Sequence, residues 1–163
     1  MGFSIVRWSL AFVISFLAVY DDHKRFKISN RLILLGLIIS FLCNLVSIFR
    51  LGFGSAADYF LAEFCVFLCL LFLYLIHCVR AGDVKLLTVI AAFLGCRISA
   101  LVVLVSMLAG VVIGVVELSL GRAPRCESIN IGGNTIDMHG YHYSYGVLTA
   151  LCVTLILNLL GYF

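Results

Sequence analysis

Apolar residues run along this chain in six blocks, separated by short polar interruptions. The blocks are Phe3 to Tyr20, Leu32 to Phe49, Tyr59 to His77, Val84 to Gly95, Ile98 to Leu118 and Tyr145 to about Gly161. Most approach the length of about 20 residues that carries a helix across the hydrocarbon core of a bilayer. Gly36 interrupts the second block, which membrane helices tolerate. The fourth block is short, so it either extends with Lys85 snorkelling or is partly re-entrant. Arg7 and Trp8 stand near the start of the first, where an arginine can snorkel and an indole suits the interface. Asp58 and Glu63 flank the beginning of the third. The first block ends in Tyr20-Asp21-Asp22 rather than in small residues, which favours a retained helix over a cleaved signal peptide. Between the fifth and sixth blocks lies a polar segment, Gly121 to His142. It holds the only proline, Pro124, and a turn signal at Gly132-Gly133-Asn134.

Composition strengthens this picture. The 163 residues are 64% hydrophobic and only 12% charged; a soluble domain carries about twice that charge. A water-soluble fold of this length could not hide so much apolar surface, whereas lipid solvates it. The pattern predicts an all-α, polytopic integral membrane helical bundle with about six transmembrane helices, forming a single membrane-embedded domain over residues 1–163. The lipid bilayer is therefore its first partner.

The net charge of +3 is small and scattered, with no basic stripe interleaved with aromatics, so nucleic acid is not an expected partner. The distribution of basic residues is more informative. Lys24, Arg25, Lys27 and Arg31 follow the first block, Arg80 and Lys85 the third, and Arg122 and Arg125 the fifth. Only Arg50 follows the second and only Arg97 the fourth. Positive charge marks cytoplasmic loops, which predicts that the odd loops face the cytoplasm and both ends of the chain lie outside. The seven cysteines contain no C-x-x-C pair and read as buried thiols packing as small hydrophobes. His139 and His142 have an H-x-x-H spacing without a convincing acidic partner or an assured helix, so no metal site is expected.

Two acidic positions carry the candidate chemistry: the Asp21-Asp22 pair ending the first block, and Asp83 opening the fourth. The alternating topology brings them to the same membrane depth. Carboxylates at that depth are costly and usually face a wet, protein-lined cavity, although either could be a loop charge neutralised by neighbours. Adjacent residues on a helix point about 100° apart, so only one of Asp21 and Asp22 can face a shared site.

Asp22 opens the string Asp22-His23-Lys24-Arg25-Phe26-Lys27-Ile28-Ser29-Asn30, and Asp83 lies in Ala81-Gly82-Asp83-Val84-Lys85-Leu86-Leu87. Here the chain resembles the type IV prepilin peptidases, and among them the short forms serving Flp/Tad pili. That family has an aspartate six residues before an I-P-N tripeptide, a second aspartate in G-x-G-D-x-K-L, and often P-Y-G opening its last helix. Ser144-Tyr145-Gly146 stands at the last of these places. The spacing to Ile28 and Asn30 selects Asp22. Tyr20-Asp21 also resembles the Y-D of presenilin-like intramembrane proteases, but those chains are much longer and carry a P-A-L motif that is missing here. Three positions depart from the prepilin peptidase pattern. Ser29 and Ser144 replace prolines, and Arg80 replaces the first glycine of G-x-G-D, where it could pair with Asp83 and depress its pKa.

The resemblance implies a membrane aspartyl endopeptidase of the prokaryotic inner membrane, with Asp22 and Asp83 as the catalytic pair. Asn30, Gly82, Lys85, Tyr145 and Gly146 would support them. Asn30 would cap the second helix or sit in its turn, and Lys85 would anchor or orient the fourth. No cofactor or metal is implied. The implied partner is a prepilin-like membrane protein whose basic leader is removed at the cytoplasmic face. The C-x-x-C region with which larger relatives N-methylate the new terminus is missing from this chain, so cleavage without methylation is expected. A proton-coupled transporter or a non-catalytic membrane assembly factor would also place aspartates near a polar path. The transporter would more naturally show internal symmetry and midplane aspartates.

Overall fold

The computed structural model describes residues 2–25, 28–76, 79–120, 125–131, 134–139 and 143–161. Among them the chain forms six helices: α1 (Gly2–Arg25), α2 (Asn30–Leu51), α3 (Phe53–Leu75), α4 (Ala81–Leu94), α5 (Cys96–Ser119) and α6 (Tyr143–Leu159). Each apolar block of the sequence became a helix, with ends displaced by a few residues. Four of them, α1, α2, α3 and α5, are long and apolar enough to cross a membrane. The bundle is inside-out relative to a soluble protein. Large side chains such as Phe16, Phe41, Phe64, Phe72 and Leu108 lie on its outer surface, where acyl chains solvate them at no cost.

The polar segment between α5 and α6 contributes an antiparallel hairpin, β1 (Arg125–Ile131) and β2 (Asn134–His139). Its register runs from Ile131 opposite Asn134 to Arg125 opposite His139, with an irregularity between Arg125 and Glu127. The strands stop and resume on either side of Gly132-Gly133, the pair marked as a turn, which itself lies outside the described residues. The hairpin is an addition to an otherwise helical bundle. The side chain of His139, and all of His142, fall outside the described part.

The centre of the bundle is α4, which packs against every other helix. Val84 and every residue from Leu86 to Leu94 are buried, because a helix that is apolar all round has no face to offer water. Fourteen residues span only about 21 Å, so α4 ends within the bundle and leaves orphan carbonyls there. Polar residues from three neighbouring helices meet that end. Arg7 of α1 donates to the Phe93 carbonyl at 3.4 Å, to the Cys43 carbonyl at 3.2 Å and to Ser47 Oγ at 2.6 Å. Its guanidinium lies 3.6 Å from the centre of the Tyr59 ring, and Asn44 of α2 donates to the Ala92 carbonyl at 3.5 Å. A single residue, Gly95, turns α4 into α5 at φ 79° and ψ 173°, a region essentially reserved for glycine. Just beyond it, the Asp58 carboxylate of α3 accepts from the Cys96 N–H at 3.3 Å. A cation thus meets the negative end of α4 and an anion the positive end of α5.

The structure corrects four expectations. Arg7 does not snorkel: it is 2% exposed, because the unpaired end of α4 needs donors inside the protein. Trp8 is likewise buried rather than interfacial. Asp58 and Glu63 do not flank α3 but lie within it, since the helix begins at Phe53. Of the described cysteines, Cys65, Cys69 and Cys152 are on the outer surface rather than buried, as a thiol in lipid has no need to be hidden.

Candidate active site

At the other end of α4, the C-terminal turns of α1, the start of α2 and the first turns of α4 and α6 enclose a cavity of about 400 Å³. Asp22, Ile28, Asn30, Arg80, Ala81, Gly82, Asp83, Lys85 and Tyr143 line it. The topology explains the convergence. α1 runs toward this end and α2 away from it, then α3 returns and α4 leaves again, so the last turns of α1 and the first turn of α4 share one level. Asp22 and Asp83 are each 6% exposed, and both belong to this one wall. Asp21 is directed elsewhere: its Oδ2 accepts from the backbone N–H of Ser29 at 3.4 Å.

Asp83 stands in the first turn of α4, outside the four spans, where Arg80 is the N-cap residue. Burial, and secondly the Asp22 carboxylate, push its pKa up to about 7, while the Arg80 charge pulls it down. The sequence raised the prospect that Arg80 would depress this pKa. The direction of that effect is as expected, but it is outweighed: Arg80 is solvent-exposed and screened, whereas Asp83 is buried beside a like charge.

The supporting residues divide. Lys85 donates from Nζ to Asn30 Oδ1 at 3.1 Å, tying the first turns of α4 and α2 together. Asn30 does not cap α2. That position is Ser29, which makes no side-chain cap bond, and Asn30 is the first helical residue. Its amide is engaged by Lys85 instead. Gly82 lines the cavity, and a β-carbon there would meet Ile28 only at ordinary contact distance, 3.7 Å. Gly146 is more constrained, because a β-carbon would approach the Gly110 nitrogen and the Ser106 carbonyl at 3.1 Å. It lets α6 lie against the backbone of α5. The Tyr145 hydroxyl meets His23 Nδ1 at 3.1 Å, beside rather than inside the cavity.

Two residues near the site were not singled out for it from sequence. Tyr143 forms part of the cavity wall, and its hydroxyl is 2.9 Å from Ser106 Oγ. Ser144, noted only as a replaced proline, donates from Oγ to Asp22 Oδ2 at 2.6 Å. The S-Y-G string was the available signal for Ser144; Tyr143 stands one residue before it. Among the described residues, no group of histidine, cysteine and acidic side chains is arranged to hold a metal.

The protein is a helical membrane bundle with two carboxyls buried in one polar cavity. Within that class, the family model of the type IV leader peptidases matches residues 9–115, which run from within α1 through most of α5 and include both aspartates. The chain belongs to the type IV leader peptidase family, a family of proteases. No curated protein and no solved structure matches it.

Proposed function

We propose that this protein is an aspartic endopeptidase that removes the leader of prepilin-like membrane proteins at the cytoplasmic face of the inner membrane, using Asp22 and Asp83 to activate water. The observation that carries the reading is the shared cavity: two carboxyls distant in sequence, both buried, line one polar space, and one of them has a pKa near neutrality. Two buried carboxyls that share one cavity and repel each other do not readily ionise together, so the pair holds one proton.

Asp83 is the partner that holds it. Asp22 takes a proton from water, the hydroxide oxygen bonds to the scissile carbonyl carbon, and Asp83 gives its proton to the carbonyl oxygen. The resulting diol collapses as Asp22 passes its proton to the leaving amine. The C–N bond breaks and a diol hydroxyl returns a proton to Asp83. Each carboxyl ends as it began.

A second feature suits a membrane substrate. An apolar groove of about 430 Å³ runs between α2, α3 and α4, lined by Ile33, Leu37, Phe60, Phe64 and Phe67 among others. Lys85 lines both this groove and the polar cavity. An apolar substrate helix in the groove would bring its polar junction to the two aspartates. The basic residues around this end of the bundle, Lys24, Arg31 and Arg80 among them, favour a cytoplasmic orientation.

The test is co-expression with a candidate prepilin from the same genome, reading leader removal by gel shift and N-terminal sequencing. Wild type and Asp21→Asn should cleave, while Asp22→Asn and Asp83→Asn should not. Cleavage that survives Asp83→Asn, or a folded wild type that leaves every well-expressed prepilin intact, would overturn the assignment.

A further inference from the structure

We infer that Ser144 is a positioning residue for Asp22: its hydroxyl fixes one carboxylate oxygen so that the other is presented to the cavity. The inference rests on the peptidase reading and adds a residue of α6, which lies beyond the part of the chain matched by the family.

Ser144 is fully buried, and its Oγ is 2.6 Å from Asp22 Oδ2. That is the length of a strong hydroxyl-to-carboxylate hydrogen bond. A carboxylate accepts only, so the hydroxyl must donate. The bond joins α1 to α6, two helices far apart in the chain, and the donor itself is held on both sides. Preceding it, the Tyr143 hydroxyl meets Ser106 of α5 at 2.9 Å. Following it, the Tyr145 hydroxyl meets His23, the neighbour of Asp22, at 3.1 Å. One residue further on, Gly146 seats α6 against the α5 backbone. The first turn of α6 is thus pinned to α5 and to the end of α1, and Ser144 is its central contact.

Asp22 belongs to the cavity wall while Ser144 stands behind it. The torsion that turns a carboxylate about its last bond is broad and soft, so packing alone does not hold one oxygen toward a water. With Oδ2 engaged from behind, Oδ1 is the oxygen left for the reaction. Removing the hydroxyl frees that rotation without altering the surface a substrate touches, so the loss belongs in kcat and not in KM.

The experiment uses the full-length protein in nanodiscs with a leader-bearing substrate, comparing wild type with Ser144→Ala, Ser144→Thr and Ser144→Val. Ser144→Ala should lower kcat by roughly tenfold to 100-fold, the scale of a misplaced catalytic group, with KM within about twofold. Thr and Val have the same shape and differ in the hydroxyl. Ser144→Thr should therefore exceed Ser144→Val in kcat by about tenfold at matched thermal stability. A Ser144→Ala kcat within about twofold of wild type would overturn the inference and leave the peptidase reading standing. So would a loss expressed in KM, or a threonine variant no better than valine. A wild type that cleaves nothing would remove both together.

Discussion

The most discriminating property of this site is its alkaline limit. Asp83 has its pKa raised from 3.8 to about 7 by burial first and by Asp22 second. If Asp83 must be protonated to polarise the scissile carbonyl, the competent fraction is about nine-tenths at pH 6, half at pH 7 and one-tenth at pH 8. kcat/KM should therefore fall about tenfold from pH 6 to pH 8, with the slope of a single proton loss. The apparent value belongs to the pair of carboxyls rather than to one of them. Arg80 provides the perturbation. Its positive charge favours ionised Asp83 and lowers the pKa, so Arg80→Ala must raise it and carry the alkaline limb to higher pH. At pH 8 the variant should be faster than wild type relative to its own maximum. The assay is initial-rate cleavage of a leader-bearing substrate by enzyme in nanodiscs across pH 5.5–9, at constant ionic strength because Arg80 is exposed. A flat profile from pH 6 to pH 8.5 would show that Asp83 holds no catalytic proton in this range. An Arg80→Ala limb displaced to lower pH would refute the electrostatic reasoning itself.

Two further predictions concern the opposite end of α4. Gly95→Ala places a β-carbon 2.5 Å from Asp58 Oδ2 at a φ of 79°, which should cost on the order of 1–3 kcal/mol and lower the thermal unfolding midpoint in detergent; an unchanged midpoint would mean the corner is not strained by a side chain. Arg7→Leu removes the guanidinium that meets the Phe93 carbonyl. An orphaned buried acceptor costs about 1–3 kcal/mol, so proteolysis in detergent should accelerate at the α4–α5 corner, and a digestion rate equal to wild type would contradict the proposed role of Arg7.

The sequence was most readable where one physical demand acts alone. Long apolar blocks must lie in lipid and must satisfy their own backbone, and each of them is a helix. The preference for Asp22 over Asp21 rested on the family resemblance, which sets an aspartate six residues before Ile28. In the structure Asp22 enters the cavity and Asp21 turns to the Ser29 backbone. What could not be read was which polar side chain meets which. Arg7 looks like an interface residue when judged by its distance from the start of α1. Its burial follows from the length of α4, a helix remote in sequence that ends opposite it. Asn30 has the composition of a cap, yet the adjacent Ser29 holds that position and Lys85 engages the amide. Ser144 carries a hydroxyl whose partner lies 122 residues away. The hairpin escaped because its glycine pair signals a turn without saying that strands flank it.

These two ends of α4 belong to one arrangement. A helix of about 21 Å is shorter than the roughly 30 Å of a hydrocarbon core. Fixing one end inside the bundle therefore determines how deep the other end lies. Arg7 and Asn44 hold the last carbonyls of α4, and Asp58 holds the first N–H of α5. With that corner anchored, the place of Asp83 within the bundle is fixed as well, because only two residues of α4 precede it. Asp22 is recessed by a different route, since α1 continues past it to Arg25. Both carboxyls thus sit below the rim of the bundle, where burial raises the pKa of Asp83 and the cavity still reaches them. The buried arginine near one end of the chain and the near-neutral aspartate at the mouth of the site are consequences of the same short helix.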